Sequence, residues 1–143
     1  MEFRRVQHKV VIRLLDGALK KGKFLRMEEP PDHNIVIVEC EGGICKAPLR
    51  NIKAVFFVRN WDGDSNYYNP QGRNLQDERL NRLQVEFTDG EVLWGRSMNY
   101  CMDSPGFFFF PSNPDANNRA ILINKLAVGR IVVGEETKSD NGI

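Results

Sequence analysis

A chain of 143 residues, 41% hydrophobic and 27% charged, is long enough for one ordinary domain or two small ones and too apolar for wholesale disorder. No charge-free apolar run approaches the roughly 20 residues of a membrane helix. Met1-Glu2-Phe3-Arg4-Arg5 lacks the apolar core of a secretory signal, so a cytoplasmic protein is expected.

The net charge of +1 conceals a gradient, because through Arg26 the chain sets Arg4, Arg5, Lys9, Arg13, Lys20, Lys21, Lys23 and Arg26 against only Glu2 and Asp16, and the rest is acidic enough to cancel this almost completely. Such a basic start reads first as the solvated face of strands and second as an anion- or nucleic-acid-binding surface. In chain order, Val10, Ile12 and Leu14 alternate with polar or outward positions and run into Asp16-Gly17, a hairpin signal for a type I′ turn. A second strand follows from Ala18 to Met27, with Gly22 inside it where a residue without Cβ permits a bend or bulge. A third runs from Asn34 to Cys40 and a fourth from Ile44 to Ala47. Leu49 to Ile52 reads as one helical turn, and Ala54 to Val58 as a fifth strand.

Residues 60–81 are expected to form a polar linker, rich in Asn, Gly and Asp, with a helical turn or two from Leu75 to Leu83. The pattern then recurs. Leu83, Val85 and Phe87 lead into Asp89-Gly90, and Glu91 to Tyr100 follows with Gly95 at the spacing of Gly22. Gly106 to Pro111, Ala120 to Asn124, a helical turn at Lys125 to Val128, and Gly129 to Val133 complete a second set. A tail from Glu135 is expected to fray.

The strand-Asp-Gly-x-x-x-x-Gly frame, repeated in the same order, implies a tandem array of one unit. Five short strands with a helical turn before the last resemble the small-barrel class of SH3-like and Sm-like folds. The whole resembles a bacterial family of uncharacterised small-barrel domains found alone, in tandem or beside signalling modules. That resemblance implies an all-β fold of two five-stranded small barrels, at 1–59 and 82–134, and carries no established activity. Each unit alone would have a thin core.

Sites of chemistry are scarce. Cys40, Cys45 and Cys101 are odd in number, and although Cys40 and Cys45 could face each other across a hairpin, reduced thiols fit a cytosolic chain better. Asp62-x-Asp64-x-Asn66 opens like a calcium loop, but Tyr67 and Arg73 stand where Gly and Glu are needed. His8 and His33 lie far apart, without paired Cys-x-x-Cys knuckles, so no metal is expected. Asp16 and Asp89 belong to turns. No nucleophile elbow or phosphate-cradling loop occurs, and the cyclic-dinucleotide pattern of paired arginines with Asp/Asn-x-Ser-x-x-Gly is missing. No catalytic residue, cofactor or small-molecule substrate is identified.

Phe107-Phe108-Phe109-Phe110 is the sharpest local feature. In a strand these rings alternate between faces, so two of them point away from the core and call for a cover. The cover is either the other barrel or a protein partner or second copy. Basic residues Arg4, Arg5, Lys20, Lys21 and Lys23, with Phe3 and Phe24 nearby, allow single-stranded nucleic acid instead. The expectation is a non-enzymatic interaction or regulatory adaptor, with nucleic-acid binding through the basic first barrel as the alternative.

Overall fold

Alternation builds the first hairpin. In the computed structural model, which describes residues 8–61, 81–101, 103–112 and 117–134, strand β1 (Lys9–Leu14) buries Val10 and Ile12 and leaves Lys9 exposed. It pairs with β2 (Leu19–Met27). Then come β3 (Ile35–Glu39), β4 (Ile44–Ala47), a 3-10 turn at Leu49–Asn51 and β5 (Ile52–Val58). The second series is β6 (Asn81–Phe87), β7 (Val92–Ser97), β8 (Gly106–Pro111), β9 (Asn118–Asn124), a 3-10 turn at Lys125–Ala127 and β10 (Val128–Val133). Asn81 to Leu83, expected to finish a helical turn, open β6 instead. Residues 62–80, which hold most of the expected linker and the calcium-like Asp62-x-Asp64-x-Asn66, lie outside the described residues, as do Phe3, Arg4, Arg5 and the tail from 135. No helix among the described residues is long and apolar enough to cross a membrane.

The turns differ from expectation in one physical detail. Gly17 and Gly90 take positive φ, 95° and 99°, whereas Asp16 and Asp89 do not. A type I′ turn needs positive φ at both central residues, so these are instead turns followed by one left-handed glycine. Gly17 N donates to Leu14 O and Gly90 N to Phe87 O, each at 2.9 Å. Aspartate is favoured here for its side chain, which caps the backbone two residues on.

All pairings are antiparallel, in the order β10-β6-β7-β8-β9-β5-β1-β2-β3-β4. This is one ten-stranded sheet, and it is not closed. Two separate five-stranded barrels were expected; instead β5 hydrogen-bonds to β9 and fuses the halves. The physical reason lies in these two strands. β5 reads Ile52-Lys53-Ala54-Val55-Phe56-Phe57-Val58, with both faces covered along most of its length, and Ile121, Leu122 and Ile123 of β9 are equally buried. Strands apolar on both faces belong inside a sheet, not at its edge.

Consequently the sheet serves two cores. One gathers Val10, Ile12, Ile35, Ile37, Leu49, Ile52, Val55 and Leu122. The other gathers Ala54, Phe56, Val58, Leu83, Val85, Phe87, Phe107, Phe109, Ile121 and Ile123. Successive residues of β5 and β9 thus feed opposite cores. Gly22 and Gly95 sit where strands cross closely: a Cβ would stand 2.2 Å from Val38 O and 2.2 Å from Phe110 O, respectively.

Polar side chains complete the seam. Asn124 is 1% exposed, and its Nδ2 donates to Leu49 O at 3.1 Å and Ile52 O at 2.9 Å. Its Oδ1 accepts from Leu126 N, so one buried amide satisfies itself and ties the two 3-10 turns together. At the other end, Asn117 exchanges bonds with Asn60 N and Asn60 O at 2.9 and 2.8 Å. Lys53, only 4% exposed, reaches from β5 to Asp89 at 2.7 Å and also to Glu91.

Candidate binding groove

The fused halves leave an open groove of about 1090 Å³ where β2, β5, β8 and β9 meet on the face of the first core. Its floor follows from register. Val10 pairs with Phe57, Phe57 with Ala120, and Phe108 with Leu122; antiparallel partners share a face, so these side chains lie on one side of the sheet. Phe24 stands 5.4 Å from Phe57 between ring centroids, and Phe108 stands 6.1 Å from Phe57 on the other side. His8 meets Phe57 edge-on at 6.0 Å. Ala120, the smallest floor residue, keeps the trough between Phe57 and β8 unfilled.

Alternation splits the Phe107–Phe110 run. Phe107 and Phe109 are fully buried in the second core. Phe108 is 41% exposed and, with half-buried Phe110, lines the groove. The chain's own first half therefore meets the outward rings at one flank through Phe57 and leaves the other flank open. Ser97 Oγ donates to Phe108 O at 2.6 Å, which steadies this part of β8 where its ladder to β7 is only Gly95↔Pro111 and Arg96↔Phe110. Phe56 and Phe57 divide in the same way, Phe56 into the second core and Phe57 into the groove.

The rim is cationic. Lys9, Arg59 and Arg119 line the groove beside His8, and among the described residues its lining holds no carboxylate, thiol or hydroxyl. Lys9 Nζ lies 5.1 Å above the Trp61 ring and 3.4 Å from Arg59 O. Trp61 is held in turn by its Nε1 donating to Gly22 O at 2.9 Å. Of the expected basic surface, Lys23 stands cross-strand from Lys9 and Lys21 from Val11, whereas Lys20 turns to Glu39 at 3.9 Å. The structure thus brings Phe24, Phe108, Phe110 and Lys9 together. Sequence reasoning missed Arg59 and Arg119 because their convergence depends on the β5·β9 pairing, which has no local signal, and it weighed His8, brought in beside Phe57 by β1, only as a metal ligand.

Elsewhere the chemistry is structural. A smaller cleft of about 270 Å³ between the two Asp-Gly turns is lined by Arg13, Lys53, Phe87 and Asp89, but its cations are already paired with Asp89 and Glu91. The Lys53 ammonium beside Asp89 and the Glu91 backbone N–H hold that carboxyl below its usual range. Cys40, Cys45 and Cys101 are free thiols. Burial, reinforced by Glu39, pushes the Cys45 thiol up, away from the thiolate a nucleophile needs. No group of three or more His, Cys, Asp or Glu among the described residues could hold a metal ion.

The family described as "Family of unknown function (DUF6982)" matches residues 6–134. The chain belongs to this family. One match spans all ten strands, so the DUF6982 unit includes both halves of the sheet and the groove between them. No curated protein and no solved structure matches the chain.

Proposed function

We propose that this DUF6982 protein is a non-catalytic binding module whose ligand lies in the groove, an interaction or regulatory adaptor of a bacterial cytoplasm. The observation that carries this reading is the row Phe24, Phe57 and Phe108, partly exposed and rimmed by Lys9, Arg59 and Arg119. Exposed rings cost hydration free energy that a ligand recovers, roughly 1.5–3 kcal/mol for each fully covered Phe. Among the described lining residues, His8 and Lys9 have no carboxylate, thiol or hydroxyl beside them to form a catalytic pair, which favours binding over catalysis. The rim calls for an anionic partner.

The same reading holds the scaffold to be a duplicated SH3-like or Sm-like unit. Its support is that β5-β1-β2-β3-β4 and β10-β6-β7-β8-β9 repeat one strand order, each with an Asp-Gly turn and a 3-10 turn before its last strand. A backbone-amide NMR titration of the full chain tests the site with three probes: oligo(dT), a flexible acidic peptide containing Phe, and neutral oligosaccharide. The expected result is movement of amides at Phe57, Phe108 and Arg119 with an anionic probe and not with the sugar. If neither anionic probe moves them, the groove is not the binding site.

A further inference from the structure

We propose that the occupant of the groove is single-stranded nucleic acid, its bases stacked on Phe24, Phe57 and Phe108 and its phosphates held at the rim by Lys9 and Arg119. This rests on the reading of the groove as the ligand site. Four observations select this occupant among anionic ones.

The first is backbone pairing. Each floor strand lies inside the sheet: β8 between β7 and β9, β9 between β8 and β5, β5 between β9 and β1, β2 between β1 and β3. An extended peptide entering here would find only the short stretch of β8 before Phe110 without a β7 partner, where Ser97 Oγ already takes Phe108 O, and main-chain bonds are what give strand-like peptide docking its affinity. A nucleic-acid strand has no such need, since rings take its bases and cations take its phosphates.

The second is the lining's chemistry. Among the described residues it offers ring faces and positive charge and no hydroxyl or side-chain amide. With its cations on phosphates, that set stacks and neutralises rather than reading base edges, so sequence preference is weak. The third is shape: the trough of about 1090 Å³ is open along its length, whereas a small-molecule site buries most of its ligand, so it suits a polymer lying across it. The fourth disfavours a second copy of this chain. A two-fold contact would set Lys9, Arg59 and Arg119 of one groove against the same cations of the other, because such an interface joins identical patches. Duplex is disfavoured as well, because its base faces are already stacked and hidden.

The test is fluorescence anisotropy of labelled oligo(dT) with the full chain, across a salt series. Phosphate contacts from Lys9 and Arg119 predict a slope of log K against log[salt] of about −1.4. Arg119→Gln lowers the slope by about 0.7. Phe108→Ala weakens binding by about 5- to 150-fold, the usual loss of one stacking ring; its exposed position keeps the fold, checked by an unchanged thermal midpoint. Duplex of the same sequence binds more weakly. Absence of binding at low salt overturns the proposal, and so does salt-sensitive binding indifferent to Phe108→Ala, which would place the strand elsewhere. If the acidic peptide moves the groove amides and oligo(dT) does not, nucleic acid is wrong and the binding-module reading stands. If neither moves them, both fall.

Discussion

The two Asp-Gly turns carry the same bonds and meet different neighbours. Asp16 Oδ1 accepts from Ala18 N at 2.9 Å and Asp89 Oδ1 from Glu91 N at 3.0 Å; Leu14 N donates to Ala18 O and Phe87 N to Glu91 O. The second turn receives a lysine from the other half, Lys53, whose ammonium also lies 4.6 Å over the Phe87 ring. A parallel contrast runs through the aromatic pairs: Phe107 and Phe109 fill a core, while Phe108 and Phe110 line a groove. Local chemistry thus sets equal frames in the two halves, and contacts across the β5·β9 seam make them unequal.

The largest expected effect separates the two faces of β8. Phe109→Ala empties a site of 0% exposure and should cost about 3–5 kcal/mol in urea unfolding. Phe108→Ala removes a ring that solvent already reaches and should cost no more than about 1 kcal/mol. Equal losses would mean that Phe108 is a core residue, and the groove would lose its standing as a surface.

Legibility in the sequence followed the range of the signal. The strands of both halves could be read because alternation, Asp-Gly and the later glycine are local, and Gly22 and Gly95 do mark close crossings. The apolar run Ala54–Val58 could be read as a strand, but a chain pattern cannot name which strand covers it, and closure into two barrels was the expectation that failed. Lys53 and Asn124 look like ordinary surface residues in sequence. Their burial follows only once β5 and β9 are adjacent. The groove was half visible: Phe108 and the basic start could be singled out, whereas Arg59 and Arg119 are brought to it by the seam.

A middle-sized effect tests that seam. Lys53→Ala removes a side chain 5% exposed that packs on Phe87 and bonds two carboxylates; the expected loss is about 1–3 kcal/mol. It stays below the cost of breaking a fully buried pair because Asp89 and Glu91 are 55% and 37% exposed and rehydrate. Lys53→Met keeps most of the packing and should lose about 1 kcal/mol or less. Arg13→Gln, at 4.0 Å from Glu91 and 44% exposed, should change stability by about 0.5 kcal/mol at most. If Lys53→Ala costs no more than Arg13→Gln, the lysine does not hold the halves together.

The smallest effect is in pH. Asp89 is held below its ordinary range, chiefly by Lys53 and then by the Glu91 N–H. A carboxyl lowered on folding stabilises the fold fully above its unfolded value, about 3.9, and loses that contribution as pH falls through the folded value. Solvent screening at a half-exposed group keeps the amount well under about 1 kcal/mol. Asp89→Asn retains the turn's preference and its capping oxygen, so near-neutral stability should drop only slightly while the loss of stability below about pH 4 becomes shallower. Lys53→Met should flatten the same acid limb, because it removes the leading cause of the shift. The double variant should then add almost nothing to either single one, as expected of two groups in one contact. Fully additive acid limbs would assign the lowering to the turn's own backbone, and the two Asp-Gly turns would be alike after all.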